Sequence, residues 1–492
     1  MSLKNKIYNI TGGAGRAVLF LLAIPFVVKF MGFDRFGVWA LISSVGNIVL
    51  ILGVGVSTTV THYVAEVICN TDPKKTKVAF NTNLPLLILF NVVLSLVVAG
   101  LFIFFSPSIA HVFFSTSLIN IEVVEALRWI GLYASIALFQ SIFIGIIQAY
   151  ENFLLINYIK MINLVVLNMG LLIFSYLNAS FVYITQFMFL TSILITLTYI
   201  VFVSKKINFF KLKPIFNLQK AKEMCVFSLN TWASYIGQVL FSQFDKIIIG
   251  RVCAPEILGA YAAIVSITAY ISSIASVGLQ PIIPKLTKFW ASFHTDKSEF
   301  AQEYKSAIQF NAFLVFSVAL LFCLFSAPIL TTMGIDQTAF QSTLFSFKLA
   351  AIIYALNALN VPGFYALIAT KQTGPLFKWQ TIGSIIALYF IYLLSQRYGL
   401  IGAMIGNTGL LVTLKFNFIA TKIAQTNTHS WLLIMSKQFL LFSISTTLIL
   451  MSASTLVSAA ITLFSLGLLF FWFLKSNQEA RRLINQWFRI KL

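Results

Sequence analysis

The stretch that decides the fold is Phe33-Asp34-Arg35-Phe36-Gly37-Val38-Trp39-Ala40, because a matching stretch occurs later in the chain. The second copy is Pro255-Glu256-Ile257-Leu258-Gly259-Ala260-Tyr261-Ala262, and the offset follows from 259 − 37 = 222. From their second position, both copies give an acidic residue, any residue, an apolar residue, glycine, any residue, an aromatic residue and alanine. In each copy an apolar segment of helical length lies on either side of this turn, and a basic loop follows. The sequence therefore predicts an internal repeat of two related halves.

Composition places the chain in a membrane. Of its 492 residues, 59% are hydrophobic and only 10% are charged, and the mean hydropathy is +0.91. These values lie outside the range of soluble domains. The apolar segments have the length of about 20 residues with which an α-helix crosses a bilayer, whereas barrel strands are about half as long and alternate in polarity. We therefore predict an all-α polytopic membrane protein.

About fourteen transmembrane helices fit into the chain at this length. Six are predicted in each half, and a helical hairpin follows them. The predicted spans lie near residues 9–31, 36–63, 80–105, 123–149, 153–175, 182–203, 224–250, 257–283, 306–326, 343–369, 376–395 and 400–420, with the hairpin near 434–474. The predicted regions are a first six-helix bundle (1–203), a basic linker (204–223), a second six-helix bundle (224–420), the hairpin region (421–474) and a basic tail (475–492).

The net charge of +20 follows the membrane topology. The basic residues of the loops collect in alternate loops and at both termini, whereas the opposite loops hold only Arg35, Arg251 and Arg397. By the positive-inside rule both termini lie in the cytoplasm. Because topology accounts for the charge, we expect no nucleic-acid partner.

The sequence contains no recognisable catalytic motif. Cys69, Cys225, Cys253 and Cys323 are far apart, and the four histidines are equally scattered, so we expect neither a disulfide framework nor a metal site. The outward loops are short, and no nucleophile elbow, P-loop or paired carboxylates occur. We therefore expect no enzymatic activity and no cofactor.

Ionisable residues inside the spans are the candidates for function, because each is costly in hydrocarbon. Arg16, Lys160 and Lys415 lie six or seven residues, about 10 Å, inside the cytoplasmic ends of their spans. For these three, a functional role and snorkelling of the side chain to the interface are both open. Five further cations are expected to be interfacial anchors: Lys29, Arg128, Lys348, Lys378 and Lys437.

Two helix faces carry polar residues. Asn9 lies within about 40° of Arg16 on the first helix, at 100° per residue. The seventh span carries a stripe at successive i+4 steps, and Asp245 belongs to the same face; the stripe is Asn230, Ser234, Gln238, Ser242 and Lys246. This face either lines a pore or forms hydrogen bonds between helices.

Several short motifs resemble one family. They are Tyr8-Asn9-Ile10 with Gly12-Gly13 and Arg16, the turn from Met31-Gly32 to Gly37-Val38-Trp39, Phe244-Asp245-Lys246-Ile247-Ile248-Ile249-Gly250, Leu258-Gly259-Ala260-Tyr261, and Tyr398-Gly399-Leu400-Ile401-Gly402-Ala403. The chain resembles the polysaccharide transporters of the MOP superfamily, and within them the bacterial O-antigen flippases called Wzx or RfbX. The resemblance covers nearly the whole chain in length, span count and repeat.

This resemblance implies two pseudo-symmetric six-helix bundles around a central cavity and alternating access. The implied substrate is an oligosaccharide on undecaprenyl diphosphate, moved from the cytoplasmic to the periplasmic leaflet of the bacterial inner membrane. Such a substrate, with about two negative charges and a polar glycan, calls for a cationic, hydrogen-bonding cavity. Arg16, Lys160 and Lys415 would supply its charge, and Asn9 with the seventh-span face its polar groups. Membrane lipids and other polysaccharide assembly proteins are the further partners that the resemblance allows.

Two other functions are weighed against this one. A MATE-type exporter of cationic drugs, coupled to protons or sodium, calls for buried carboxylates, but Asp245 is the only acid well inside a span and Lys246 stands beside it. A membrane glycan polymerase or ligase calls for a large outward loop bearing arginine or histidine, which the sequence lacks. The flippase is the preferred interpretation, and the MATE-type exporter is the alternative.

Overall fold

The computed structural model describes residues 23–68, 73–205, 218–291, 298–424, 430–452 and 455–476. Within these ranges all regular structure is helical. The prediction of an all-α membrane fold is confirmed. After a helical segment over residues 23–31, the helices as far as residue 252 are α1 (Phe33–Ile68), α2 (Pro73–Phe113), α3 (Ile121–Ala149), α4 (Phe153–Tyr176), α5 (Phe181–Ser204) and α6 (Leu218–Val252).

The rest of the chain has more helical segments because some spans are interrupted. They are α7 (Pro255–Thr268), α8 (Tyr270–Leu279), α9 (Ile282–Ala291), α10 (Ser298–Thr332), α11 (Gln337–Ala358), α12 (Val361–Ala369), α13 (Thr373–Gly406), a 3-10 helix (Asn407–Leu414), α14 (Lys415–Ile423), α15 (Ser430–Met451) and α16 (Thr455–Ser476).

Local sequence explains where several helices begin. The side chains of Asn120, Asn152 and Ser180 each accept a hydrogen bond from a backbone N–H in the first turn of α3, α4 and α5. Asparagine and serine are preferred at this position because their oxygen satisfies one of the free donors of a helix start. The α3–α4 and α4–α5 turns are therefore encoded locally, next to long apolar runs.

The chain forms two compact units, Met1–Gly259 and Ala260–Leu492. In the first unit α3 packs against α1, α2 and α5, and α6 packs against α1 and α2. In the second unit α10 contacts α8, α9, α11, α12, α15 and α16. The predicted boundary at the linker 204–223 stays a prediction, since most of that linker lies outside the described ranges.

The internal repeat extends to hydrogen bonds between helices. Asn91 Nδ2 on α2 donates to the carbonyl oxygen of Leu138 on α3 at 3.2 Å. Asn311 Nδ2 on α10 donates to the carbonyl oxygen of Ala358 on α11 at 3.0 Å. Donor and acceptor are 47 positions apart in both cases, and both asparagines are buried. The same asparagine-to-carbonyl hydrogen bond therefore joins equivalent helices in the two halves, and the two asparagines are 220 positions apart (311 − 91 = 220).

Two further features of the chain show the offset of 220: a pair of turns before helices and a pair of matching sequence stretches. Glu151 before α4 has φ 55° and Lys371 before α13 has φ 59°, although neither is glycine. Residues 101–110 read LFIFFSPSIA and residues 321–330 read LFCLFSAPIL, a similarity that the sequence analysis missed. It was missed because comparison of the turn motifs alone gives an offset of 222, which misaligns these stretches by two residues.

Eleven helical segments among the described residues are long and apolar enough to cross a membrane. One of them, Thr373–Ile423, accounts for two predicted spans, because Gly399 at φ 53° turns the chain back on itself. After this turn Gly402 lies against the backbone of Leu394, and Gly406 lies against that of Ile391. These glycines allow the two arms of the hairpin to pack backbone to backbone. The predicted seventh span lies within α6, and most of the first lies outside the described residues.

The two halves differ in the continuity of their helices. α1 runs unbroken for 36 residues, whereas the corresponding helix of the second half is divided into α7, α8 and α9, with Pro281 at the second break. Likewise α3 is continuous, but α11 and α12 are separated at Leu359–Asn360, just before Pro362. Proline removes a backbone donor and so weakens a helix at this point. The helices of the second unit are therefore interrupted within its apolar segments, although Leu359 and Asn360 keep right-handed helical backbone angles.

Candidate substrate-binding residues

Asp245, the acid that the sequence places well inside a span, is fully buried on α6. Its Oδ1 accepts hydrogen bonds from the backbone N–H of Lys246 at 2.7 Å and from the Lys246 ammonium at 3.2 Å. The same ammonium donates to the carbonyl oxygen of Ser242 at 2.7 Å. A carboxylate held by a neighbouring ammonium is a neutral pair, and breaking such a pair leaves a buried charge. In this geometry the Lys246 ammonium is the counter-ion of the buried Asp245 carboxylate.

The rest of the predicted polar face of the seventh span is not tested. α6 is helical over its full length, but the side chains of Asn230, Ser234 and Gln238 are not described. Arg16 and Asn9 also lie outside the described residues. The structure therefore brings together Ser242, Asp245 and Lys246 and leaves the other predicted contacts as predictions.

Lys160 lies on α4, seven residues or about 10 Å after the helix begins at Phe153. Its side chain is half-buried. One turn further along, Asn163 Oδ1 is buried and has no hydrogen-bond donor among the described residues. A buried acceptor without a donor costs free energy, and this one lies one turn from Lys160.

Lys415 is the first residue of α14, and its side chain is exposed. Its Nζ lies 5.6 Å from the ring centroid of Trp379 and 5.5 Å from that of Phe418. Aromatic faces attract a cation at this distance. Lys415 therefore stands in an aromatic cluster of the second unit.

Two of the five expected anchors have hydrogen-bond partners within the protein. Arg128 donates to Ser106 Oγ at 3.0 Å and to Glu125 at 2.8 Å. Lys348 donates to the carbonyl oxygen of Ile449 at 3.3 Å. These two cations occupy equivalent positions of the repeat (348 − 128 = 220). Each half therefore has a cationic side chain at this position that donates hydrogen bonds to groups of the protein. Lys29, Lys378 and Lys437 are exposed.

A buried polar network in the second unit was missed by the sequence analysis. Asn407 Oδ1 accepts hydrogen bonds from the hydroxyl groups of Tyr261 at 3.3 Å and Tyr354 at 3.4 Å. Asn417 donates to the carbonyl oxygen of Leu359 at 2.7 Å and accepts from the backbone N–H of Gly363 at 2.9 Å, which satisfies the break between α11 and α12. Backbone groups that lose their helical partner within an apolar segment need such bonds. Asparagines inside apolar runs were the available signal.

The part of the chain that the structure describes contains neither a metal-binding cluster nor a disulfide. No group of three or more histidine, cysteine, aspartate or glutamate side chains within it could hold a metal ion. Cys225, Cys253 and Cys323 are not joined in disulfides.

A family model described as "Polysaccharide biosynthesis protein" matches residues 26–337, more than half of the chain. The chain belongs to this family. No curated protein matches the sequence at a significant level. The predicted resemblance to polysaccharide transporters of the MOP superfamily is confirmed by this match together with the structural comparisons.

Three solved structures define the fold of this polysaccharide biosynthesis protein. The lipid II flippase MurJ in an inward closed conformation matches with a TM-score of 0.75 at 13% identity, over 96% of this chain and 99% of that chain. An inward-facing multidrug resistance MATE transporter of the MOP superfamily matches at 0.66 and 12% identity, over 84% and 95%. A MOP superfamily transporter from Pyrococcus furiosus matches at 0.55 and 15% identity, over 87% and 95%. At these identities the likeness shows a shared MurJ- and MATE-like fold.

Proposed function

We propose that the protein flips an undecaprenyl-diphosphate-linked oligosaccharide, such as an O-antigen repeat unit, from the cytoplasmic to the periplasmic leaflet of the bacterial inner membrane. Transport proceeds by alternating access, and both termini lie in the cytoplasm. The observation that carries this proposal is the combination of a polysaccharide biosynthesis family match with the fold of a lipid II flippase over 96% of the chain.

The charges inside the predicted spans support an anionic substrate. Arg16, Lys160 and Lys415 are the candidate cations there, whereas the acid Asp245 forms an ion pair with Lys246. A transporter of cationic drugs needs a buried carboxylate that its substrate or coupling ion can reach. Because Asp245 already has an ammonium partner, the MATE-type alternative is less well supported than the flippase.

The proposed contacts of the glycan lipid in the first half are Arg16, Lys160 and Asn9. Arg16 would hold the diphosphate, because a guanidinium can donate two directed hydrogen bonds to phosphate oxygens. Lys160 would add charge. On the seventh span, Asn230, Ser234 and Gln238 would hydrogen-bond to the substrate, while Asp245 and Lys246 would fix that helix.

Expression in bacteria that lack their own O-antigen flippase tests the proposal against its rival. We expect surface glycan to return, while ethidium efflux and drug resistance stay at the level of the empty vector. A gain of ethidium efflux without surface glycan would favour the MATE-type exporter. Normal membrane insertion, measured by immunoblot, is the control for both readouts.

A further inference from the structure

Two lysine ammonium groups lie against one indole ring in the second unit. Lys378 Nζ is 5.7 Å and Lys415 Nζ is 5.6 Å from the ring centroid of Trp379. The indole itself packs on a small apolar core that includes Leu376 and Phe416, which fixes its position. Both lysine side chains are exposed and long, so both ammonium groups can reach one ligand beside the ring.

The two charges have no carboxylate partner among the described residues. The sequence gives the reason, because it contains no aspartate or glutamate between Asp336 and Glu479. Two ammonium groups near hydrocarbon without a counter-ion are costly. The cluster of Lys378, Trp379 and Lys415 therefore calls for an anion from outside this stretch of the chain.

The position of the cluster indicates an anion that a lipid carries. Lys378 is five residues, about 7.5 Å, inside the start of α13. At 100° per residue, Ile385 and Tyr389 lie within about 20° of it on the same helix face. These two side chains are 62% and 59% exposed, so an apolar, uncovered face continues from the cationic cluster along α13. A phosphate at the lysines would place a hydrocarbon chain along this face.

The internal repeat shows that the cluster is specific to one half. At the offset of 220, Lys378 and Trp379 correspond to Tyr158 and Ile159 on α4, neither of which carries a charge (378 − 158 = 220). Features that hold the fold together, such as the bonds of Asn91 and Asn311, occur in both halves. A cationic cluster present in one half alone is not required by the shared fold.

We propose that Lys378, Trp379 and Lys415 form a docking site that binds the diphosphate of the lipid-linked glycan before it reaches Arg16, with the polyprenyl chain along Ile385 and Tyr389. This site rests on the proposed function, since it assigns the substrate of that function to named residues. Two ammonium groups match a diphosphate with about two negative charges, whereas phosphatidylglycerol carries one. Charge complementarity therefore favours the polyprenyl diphosphate over the bulk anionic lipid.

Native mass spectrometry of the full chain in detergent, titrated with an undecaprenyl-diphosphate-linked sugar or with phosphatidylglycerol, measures this preference. We expect wild-type protein to bind the diphosphate about fivefold more tightly than the singly charged phosphatidylglycerol, and each lysine to contribute about fivefold. The double variant Lys378→Gln/Lys415→Gln should then bind the diphosphate about twenty-fivefold more weakly. Lys437→Gln removes an exposed lysine of α15 from the same acid-free stretch and should bind like the wild type.

Equal binding of phosphatidylglycerol and the diphosphate, or full affinity in the double glutamine variant, would overturn the docking site. Lys378→Arg/Lys415→Arg keeps both charges and should retain affinity within about twofold, and the single glutamine variants replace the double one if it does not fold. Flipping in liposomes is read out separately. A wild type that binds but does not flip would contradict the proposed function alone, and a double variant that binds normally would contradict the docking site alone.

Discussion

Gly37 and Gly259, the glycines of the two repeated turns, pack against each other within the first unit. A Cβ atom built on Gly37 would lie 2.9 Å from the amide nitrogen of Gly259, and one built on Gly259 would lie 3.1 Å from that of Gly37. Gly37 also meets Pro255, and Gly259 meets Phe33, which are themselves equivalent residues. The contact has the symmetry of an isologous interface formed inside one chain. Glycine is needed because backbone atoms stand on both sides and cannot rotate away.

Alanine at either glycine should destabilise the protein. We expect Gly37→Ala and Gly259→Ala each to cost about 1–3 kcal/mol, the usual cost of forcing extra atoms into a packed site. Gly100→Ala is the matched control, because Gly100 is a helical glycine with open space where the Cβ would stand. Thermal unfolding of the detergent-solubilised protein measures all three. Equal melting temperatures for Gly37→Ala and Gly100→Ala would contradict the packing described here.

The sequence predicted the helical class, the repeat and its turn, because hydrophobic length and a glycine in a tight helix contact leave clear patterns. It did not predict the break between α11 and α12 or the Asn407 and Asn417 hydrogen bonds. Those depend on which helix stands opposite each asparagine, and a single chain position carries no such information. The same holds for the candidate site. The ion pair of Asp245 and Lys246 could be predicted because the two residues are adjacent in the sequence. The contact of Lys415 with Trp379 could not, because it joins distant parts of the chain.

The ion pair of Asp245 and Lys246 should be essential for stability. Asp245→Ala leaves the Lys246 ammonium without its carboxylate, so we expect a loss of about 3–5 kcal/mol. The double variant Asp245→Ala/Lys246→Ala should lose less than either single one, because it removes both charges. Thermal unfolding in detergent provides the comparison, and additive losses would show that the two residues do not act as a pair.

Asp245→Asn tests whether the same carboxylate couples transport to protons. Because we assign Asp245 a structural role, the variant should keep whatever dependence on the proton gradient the wild-type protein shows. Transport by reconstituted protein is measured with and without a pH gradient. Loss of gradient dependence at a normal protein level would give Asp245 a coupling role instead.

Val315→Thr should be tolerated although Val315 is buried. Asn91 Oδ1 accepts a hydrogen bond from Ser95 at 3.4 Å, but the equivalent Oδ1 of Asn311 has no donor among the described residues, since position 315 holds valine. A threonine hydroxyl there can donate to Asn311, and a satisfied hydroxyl avoids the usual cost of about 1–3 kcal/mol. Val60→Thr, at a fully buried position of α1, is the control and should melt at a lower temperature. The reverse order would argue against the repeated hydrogen bond as the reason.

Arg16→Ala should lose most of the transport activity at a normal protein level, and Arg16→Lys should retain part of it. A lysine supplies the charge but not the paired hydrogen bonds of a guanidinium. Lys160→Ala should be milder, because the remaining cations still neutralise the diphosphate. Lys29→Ala, at an exposed cation near the end of the same predicted helix, is the control and should transport normally. Wild-type transport by Arg16→Ala would remove Arg16 from the substrate site.

Translocation of a labelled undecaprenyl-diphosphate oligosaccharide across liposomes that contain only this purified protein is the most direct measurement. The label is incorporated in both leaflets, and an impermeant reagent then destroys the label that it can reach. Protein-free liposomes should keep about half of the label. Liposomes with wild-type protein should lose nearly all of it, while a labelled phosphatidylglycerol in parallel liposomes stays half protected. Half protection of the oligosaccharide lipid in the presence of folded protein would contradict the proposed flippase.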